Sequence, residues 1–228
     1  MKKSALAIAI VGLMTATIAA QTNQKFAQAQ KENARALMQY EWKSRTEIQK
    51  DGETKKDQLV LMSYDSSGEL QQAVIATTPE PDLPTRGLRG LIAKNKKKDF
   101  MQKIEDLRHL VKSYSELPPD TMQRFMATAK ATADKNLVSL KGYDLLQAGD
   151  SMTIWIDVTS KKQRRIEIQT ALDGKPVQIV SEFQDISPSG PTYMARNQVN
   201  YSGTSLVIIT QNFDYTLAKQ SESAAVNR

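Results

Sequence analysis

The chain has no cysteine and a single histidine, His109. The first absence removes disulfides, thiolate nucleophiles, cysteine-based metal sites and a lipid-modified cysteine at a lipobox. The second leaves His109 as the sole candidate for histidine chemistry, which would need a serine beside it or several carboxylates around it. It lies in Asp106-Leu-Arg-His109, off the neighbouring apolar stripe, and reads as a solvated helix position. Gly-x-Ser-x-Gly elbows and Gly-rich phosphate loops are missing as well. Ser187-Pro-Ser-Gly-Pro191 is a loop sequence and no nucleophile motif. Without these site elements the sequence reads as non-enzymatic, with no metal and no cofactor expected.

Long apolar runs are also missing beyond the first twenty residues. Residues 1–20 read as a cleaved signal peptide: Lys2 and Lys3 form the positive region, and Ala5–Met14 is an apolar core too short to span a membrane comfortably. Thr17, Ala19 and Ala20 allow cleavage after Ala19 or Ala20. Export to the periplasm is the expectation. The net charge is +6, with two of those charges in Lys2 and Lys3. Such an excess suits an acidic partner surface and falls far short of a nucleic-acid signature.

What is abundant is alternation. In Ser151–Val158 the apolar positions are Met152, Ile154, Ile156 and Val158, and in Gln163–Leu172 they are Ile166, Ile168 and Leu172. Residues two apart share a strand face, so each segment has one apolar face. Asp173-Gly174 supplies the positive-φ residues of a two-residue turn, and Pro176–Phe183 returns with Val177, Ile179 and Phe183. Trp155 is out of phase with Ile154 and Ile156. Either the sheet is covered on both sides there, or Trp155 lines an inner cavity while Ile154 and Ile156 meet an N-terminal helix. Asp157, on the wet face, is expected to pair with Arg165 or Lys162 across the hairpin.

Upstream, Gln24–Gln39 reads as a helix with Phe26, Ala29, Leu37 and Tyr40 on one face. Tyr40–Ile48 alternates into an Asp51-Gly52 turn, and Gln58–Tyr64 and Leu70–Thr77 complete a three-strand meander. Pro79, Pro81 and Pro84 interrupt it. A basic stretch follows, Arg86, Arg89, Lys94, Lys96, Lys97 and Lys98. Its plain reading is a solvated loop; its functional one is attraction to an anionic membrane surface. A helical insert over 97–133 comes next. Phe100, Ile104, Leu107, Val111 and Tyr114 form its first stripe, Pro118-Pro119 a break, and Met122, Phe125, Met126 and Ala129 its second. Asp120 or Thr121 is the expected cap. Strands resume at Asn136 and run to about Tyr215, so residues 21–215 form one domain and 216–228 a disordered tail. Three strands, a helical hairpin and roughly six strands make an α+β fold, in which the helices cover the sheet's apolar face.

Met152-Thr-Ile-Trp-Ile-Asp-Val158, the turn, Arg165-Ile-Glu-Ile-Gln169 and Asp173-Gly-Lys-Pro-Val-Gln-Ile179 resemble strand–turn–strand phrases of outer-membrane lipoprotein-sorting proteins, the LolA/LolB-like superfamily. Tyr40-Glu-Trp-Lys-Ser-Arg-Thr-Glu47 and Gly87-Leu-Arg-Gly-Leu-Ile-Ala-Lys94 look closer to secreted members from Gram-negative bacteria. The resemblance implies an incomplete antiparallel β-barrel of about nine strands, a half-barrel, with a helical hairpin over its concave face and an N-terminal helix outside. It also implies a cavity for a lipid, acyl chain or lipoprotein. Candidate lining residues are Trp42, Phe100, Ile104, Leu107, Val111, Met122, Phe125, Met126 and Trp155. The carriers' Arg-Pro-aromatic strand has no counterpart in Leu59–Asp65. The competing expectation is a secreted interaction protein with a fully packed core and no ligand.

Overall fold

The structure, a computed structural model, describes residues 28–29, 31–79 and 87–218, with the side chains of 87–90 and 93 left aside. The signal-peptide residues 1–20, the start of the expected N-terminal helix and most of the tail lie outside the described residues.

Helical residues 28–29 and 31–37, α1, lead into three strands, β1 (Tyr40–Lys50), β2 (Glu53–Tyr64) and β3 (Leu70–Thr77). Two helices follow, α2 (Gly87–Ser115) and α3 (Pro119–Thr128). Seven further strands follow among the described residues: β4 (Lys130–Asp134), β5 (Leu137–Tyr143), β6 (Ser151–Asp157), β7 (Gln163–Leu172), β8 (Lys175–Asp185), β9 (Thr192–Tyr201) and β10 (Leu206–Leu217). All ten belong to one antiparallel sheet in the order β3-β2-β1-β10-β9-β8-β7-β6-β5-β4. β3 and β4 end that order, and no pairing joins them. Among the described residues the sheet is therefore open, and of the expected half-barrel what stands is one large antiparallel sheet that does not close.

Several boundaries differ from the sequence reading, each for a local reason. There are ten strands because Lys130-Ala-Thr-Ala-Asp134 pairs with β5. It has the composition of a helix end, but as an exposed edge strand it needs no apolar face. Helix α2 begins at Gly87, so Lys94 to Lys98 ride on a helix and not on a loop. Neither Asp120 nor Thr121 caps α3: Pro118 occupies the cap position with no side-chain bond, Pro119 enters the first turn, and Thr121 is buried. β10 runs on to Leu217, two residues into the expected tail, where the Thr216 hydroxyl meets Glu41.

Turn chemistry sets the register. Asp51-Gly52 and Asp173-Gly174 both have two consecutive positive φ values, 54° and 81° in the first and 51° and 69° in the second. Those are the dihedrals of the two-residue turn whose twist matches paired strands. The resulting register aligns Ile48, Ile208, Val199, Ile179, Ile168 and Met152 as direct neighbours across β1, β10, β9, β8, β7 and β6. This apolar row packs in one buried cluster with Ile104, Leu107 and Tyr114 of α2 and Phe125 of α3. The helices therefore lie on the face that carries Ile154. Because α2 and α3 connect β3 to β4, they take the chain from one sheet edge to the other. At roughly 1.5 Å per residue, α2 is about 43 Å long, close to the width of ten strands at roughly 4.8 Å spacing.

Candidate functional site

The row above the apolar one has a different character. Gln58, Thr46, Thr210, Asn197 and Ser181 are direct neighbours across β2, β1, β10, β9 and β8 before the row returns to Ile166 and Ile154. The Thr46 and Thr210 hydroxyls are 3.4 Å apart, and Ser181 donates to the Asn197 side-chain oxygen at 3.0 Å. This polar stripe borders the edge of α2, and the space between them is not filled. A cavity of about 390 Å³ lies there, with Leu107, Val111, Val199 and Ile208 as its apolar lining. Thr46, Thr210, Asn197 and Ser115 supply polar groups, and Arg108 and Lys112 of α2 complete it. A second cavity, about 230 Å³, shares Thr46 and Arg108 and extends over β1–β3, where Ser44, Gln58, Val60, Met62 and Gln72 line it with Ile48 and Lys56. The lining is mixed, and not the apolar one expected.

Beyond Met62 an aromatic group closes the same face. Trp42, paired with Met62, stacks on Tyr215 with ring centroids 5.4 Å apart, and Tyr64 lies 5.6 Å from Trp42. Tyr193 lies 4.2 Å from Tyr215, and Tyr40 6.4 Å. Burial pushes the Tyr215 phenol well above its ordinary pKa, and neighbouring Tyr193 and Tyr64 add to that. It is a neutral, apolar-bodied wall.

The candidate lining residues separate into four groups. Val111 lines the larger cavity, and Leu107, itself a fully buried core residue, backs it. Ile104 and Phe125, 1% and 3% exposed, are packed core, and Phe100, Met122 and Met126 are partly buried against it. Trp42 belongs to the aromatic wall. Trp155 stands on the opposite face, since Ile154 is in the helix-covered core, and the Arg165 guanidinium lies 5.4 Å from its ring. A cation over the indole gives this out-of-phase tryptophan a partner on its own face. Asp157 does not pair across the hairpin; it accepts from the Thr159 and Ser160 amides and the Ser160 hydroxyl and so caps its own turn. Among the basic candidates, Lys94, Lys96, Lys97 and Lys98 are exposed on α2. Arg86 and the Arg89 side chain lie outside the described residues.

Sequence reasoning missed Thr46, Arg108, Asn197, Val199, Ile208 and Thr210. The signal available was the polar interruption at Asn197 and Thr210 in otherwise apolar alternation.

His109 is exposed and 3.5 Å from Glu105. Among the described residues no group of three or more His, Cys, Asp or Glu could hold a metal ion, and no helix is long and apolar enough to cross a membrane.

No family model matches the chain, and no curated protein matches it. Among solved structures, the chain is similar to the crystal structure of a LolA superfamily protein from Nitrosomonas europaea at 10% identity, over 82% of this chain and 93% of that one. The TM-score is 0.32, and a likeness at that level carries no argument about fold or ligand.

Proposed function

We propose that this chain is a non-enzymatic periplasmic binding protein that holds an acyl-bearing ligand, a lipid or a lipoprotein, between its sheet and the α2–α3 cover. The observation that carries this reading is the cavity of about 390 Å³ between α2 and strands β1, β10 and β9. It falls in the usual range of ligand sites, roughly 300–1,000 Å³. Leu107, Val111, Val199 and Ile208 offer it an apolar floor and wall continuous with the core. The resemblance of the β6–β8 phrases to lipoprotein-sorting proteins supports the same reading. The basic first half of α2, with Leu91 and Ile92 exposed beside Lys94 to Lys98, fits contact with the anionic membrane from which such a ligand is taken.

Native mass spectrometry of protein purified without detergent tests this. The expected spectrum contains a complex heavier than the chain by a lipid-sized mass, released on unfolding. A bare chain that also takes up no added fatty acid would favour the competing reading, an interaction protein with no ligand.

A further inference from the structure

We propose that this cavity selects an amphiphile with an anionic headgroup, and that Arg108 is the residue that reads the anion; the inference rests on the binding function proposed above. Among the described residues every charged side chain lining the two cavities is a cation, Lys56, Arg108 or Lys112, and no carboxylate lines either. Arg108 lines both cavities, as Thr46 does, and is the one cation they share. Opposite it is the Thr46–Thr210–Asn197 segment of the polar row. Ser181 donates to the Asn197 oxygen, which leaves the Asn197 NH2 to donate elsewhere; Thr46 and Thr210 share one hydrogen bond, which leaves one of their two hydroxyls to donate as well. One residue pair further along the same strands the lining becomes Ile208 and Val199, about 7 Å away at the rise of a strand. An anion among the donors therefore puts an attached alkyl chain against the cavity's apolar lining at Ile208, Val199 and Val111. A free inorganic anion would leave that row unused, and a neutral lipid would leave Arg108 unused.

Arg108 also reaches Glu105, one turn back on its helix, at 3.2 Å, with the side chains 54% and 49% exposed. A pair so open to water holds the guanidinium only weakly, so a ligand anion can compete for it.

Calorimetric titration of the full chain with decyl phosphate, decanol and inorganic phosphate separates the contributions. Decyl phosphate should bind about tenfold or more tighter than decanol, as a charge-assisted hydrogen bond requires. Inorganic phosphate should bind more weakly than decyl phosphate. Arg108→Gln should bring decyl phosphate down to the decanol level, with a thermal melt to verify folding, and Glu105→Gln, which frees Arg108, should tighten it. Equal affinity for decyl phosphate and decanol would overturn the headgroup inference while the binding function stood. Inorganic phosphate binding as tightly as decyl phosphate would overturn the amphiphile. No binding of either decyl compound would overturn the inference and the proposed function together.

Discussion

Asp150 is the most demanding single residue in the chain. It is 1% exposed, and its carboxylate accepts from the amides of Leu145, Leu146 and Gln147 at 2.6, 2.9 and 3.1 Å and from the Tyr114 hydroxyl at 2.5 Å. Through it the end of α2 is tied to the β5–β6 turn. Burial alone would raise the carboxyl pKa, but the Tyr114 hydroxyl and the three amides outweigh that and hold it below the ordinary value. A pKa depressed by folding gives stability that is present above the unfolded value, about 3.9 for aspartate, and lost as pH falls through the folded one. Urea midpoints should therefore fall on acidification below about pH 4. Asp150→Asn should lower the neutral-pH midpoint and flatten that acid limb; an unchanged limb would assign it to other carboxylates. Removing the acceptor altogether, in Asp150→Ala, should cost at least about 1–3 kcal/mol for the orphaned donors. Gly142 offers a steric counterpart. A Cβ there would meet the buried Phe125 ring at 2.6 Å, so Gly142→Ala should destabilise by about 1–3 kcal/mol in thermal melts.

At the scale of elements, what could be read from sequence was what repeats locally. The β6–β7–β8 hairpins were legible because Met152, Ile154, Ile166, Ile168, Val177 and Ile179 alternate within short segments bounded by turn residues. The α2 stripe of Ile104, Leu107, Val111 and Tyr114 was legible for the same reason at helical spacing. β4 was not, because an edge strand exposed on both faces carries no alternation. The polar row was not either, because Thr46 and Thr210 are 164 residues apart and meet only through the β1–β10 register. The first half of α2 was read as loop because its lysines obscure Leu91 and Ile92. That half-helix carries its own prediction. Lys96, Lys97 and Lys98 changed together to Gln should weaken binding to anionic vesicles in flotation assays, by about 1 kcal/mol per residue near the surface. Salt should weaken the parent protein likewise, since exposed charges are screened within about 10 Å at roughly 0.1 M. Vesicle binding indifferent to salt would leave the helix an ordinary solvated one.

At the scale of the whole molecule, the site exists because of where the first and last described strands meet. β1 and β10, the first and last strands, pair at the centre of one half of the sheet, while the helices leave from β3 and return at β4. The cover is hydrogen-bonded to the half built by β5–β8, through Tyr114 and Asp150, and packs on Ile48 and Leu206 of β1 and β10 as well, leaving space only further along those strands, at Thr46 and Thr210. The unfilled space lies there, between a sealed core on one side and the Trp42–Tyr215 wall on the other. Methyl-resolved NMR of Ile, Leu and Val side chains during titration with decyl phosphate tests this placement most directly. The account predicts large shifts and ligand contacts at Leu107, Val111, Val199 and Ile208, with the core methyls of Ile104 and Val177 little changed. Contacts confined to the opposite face around Trp155, or a spectrum that the ligand does not alter, would contradict it.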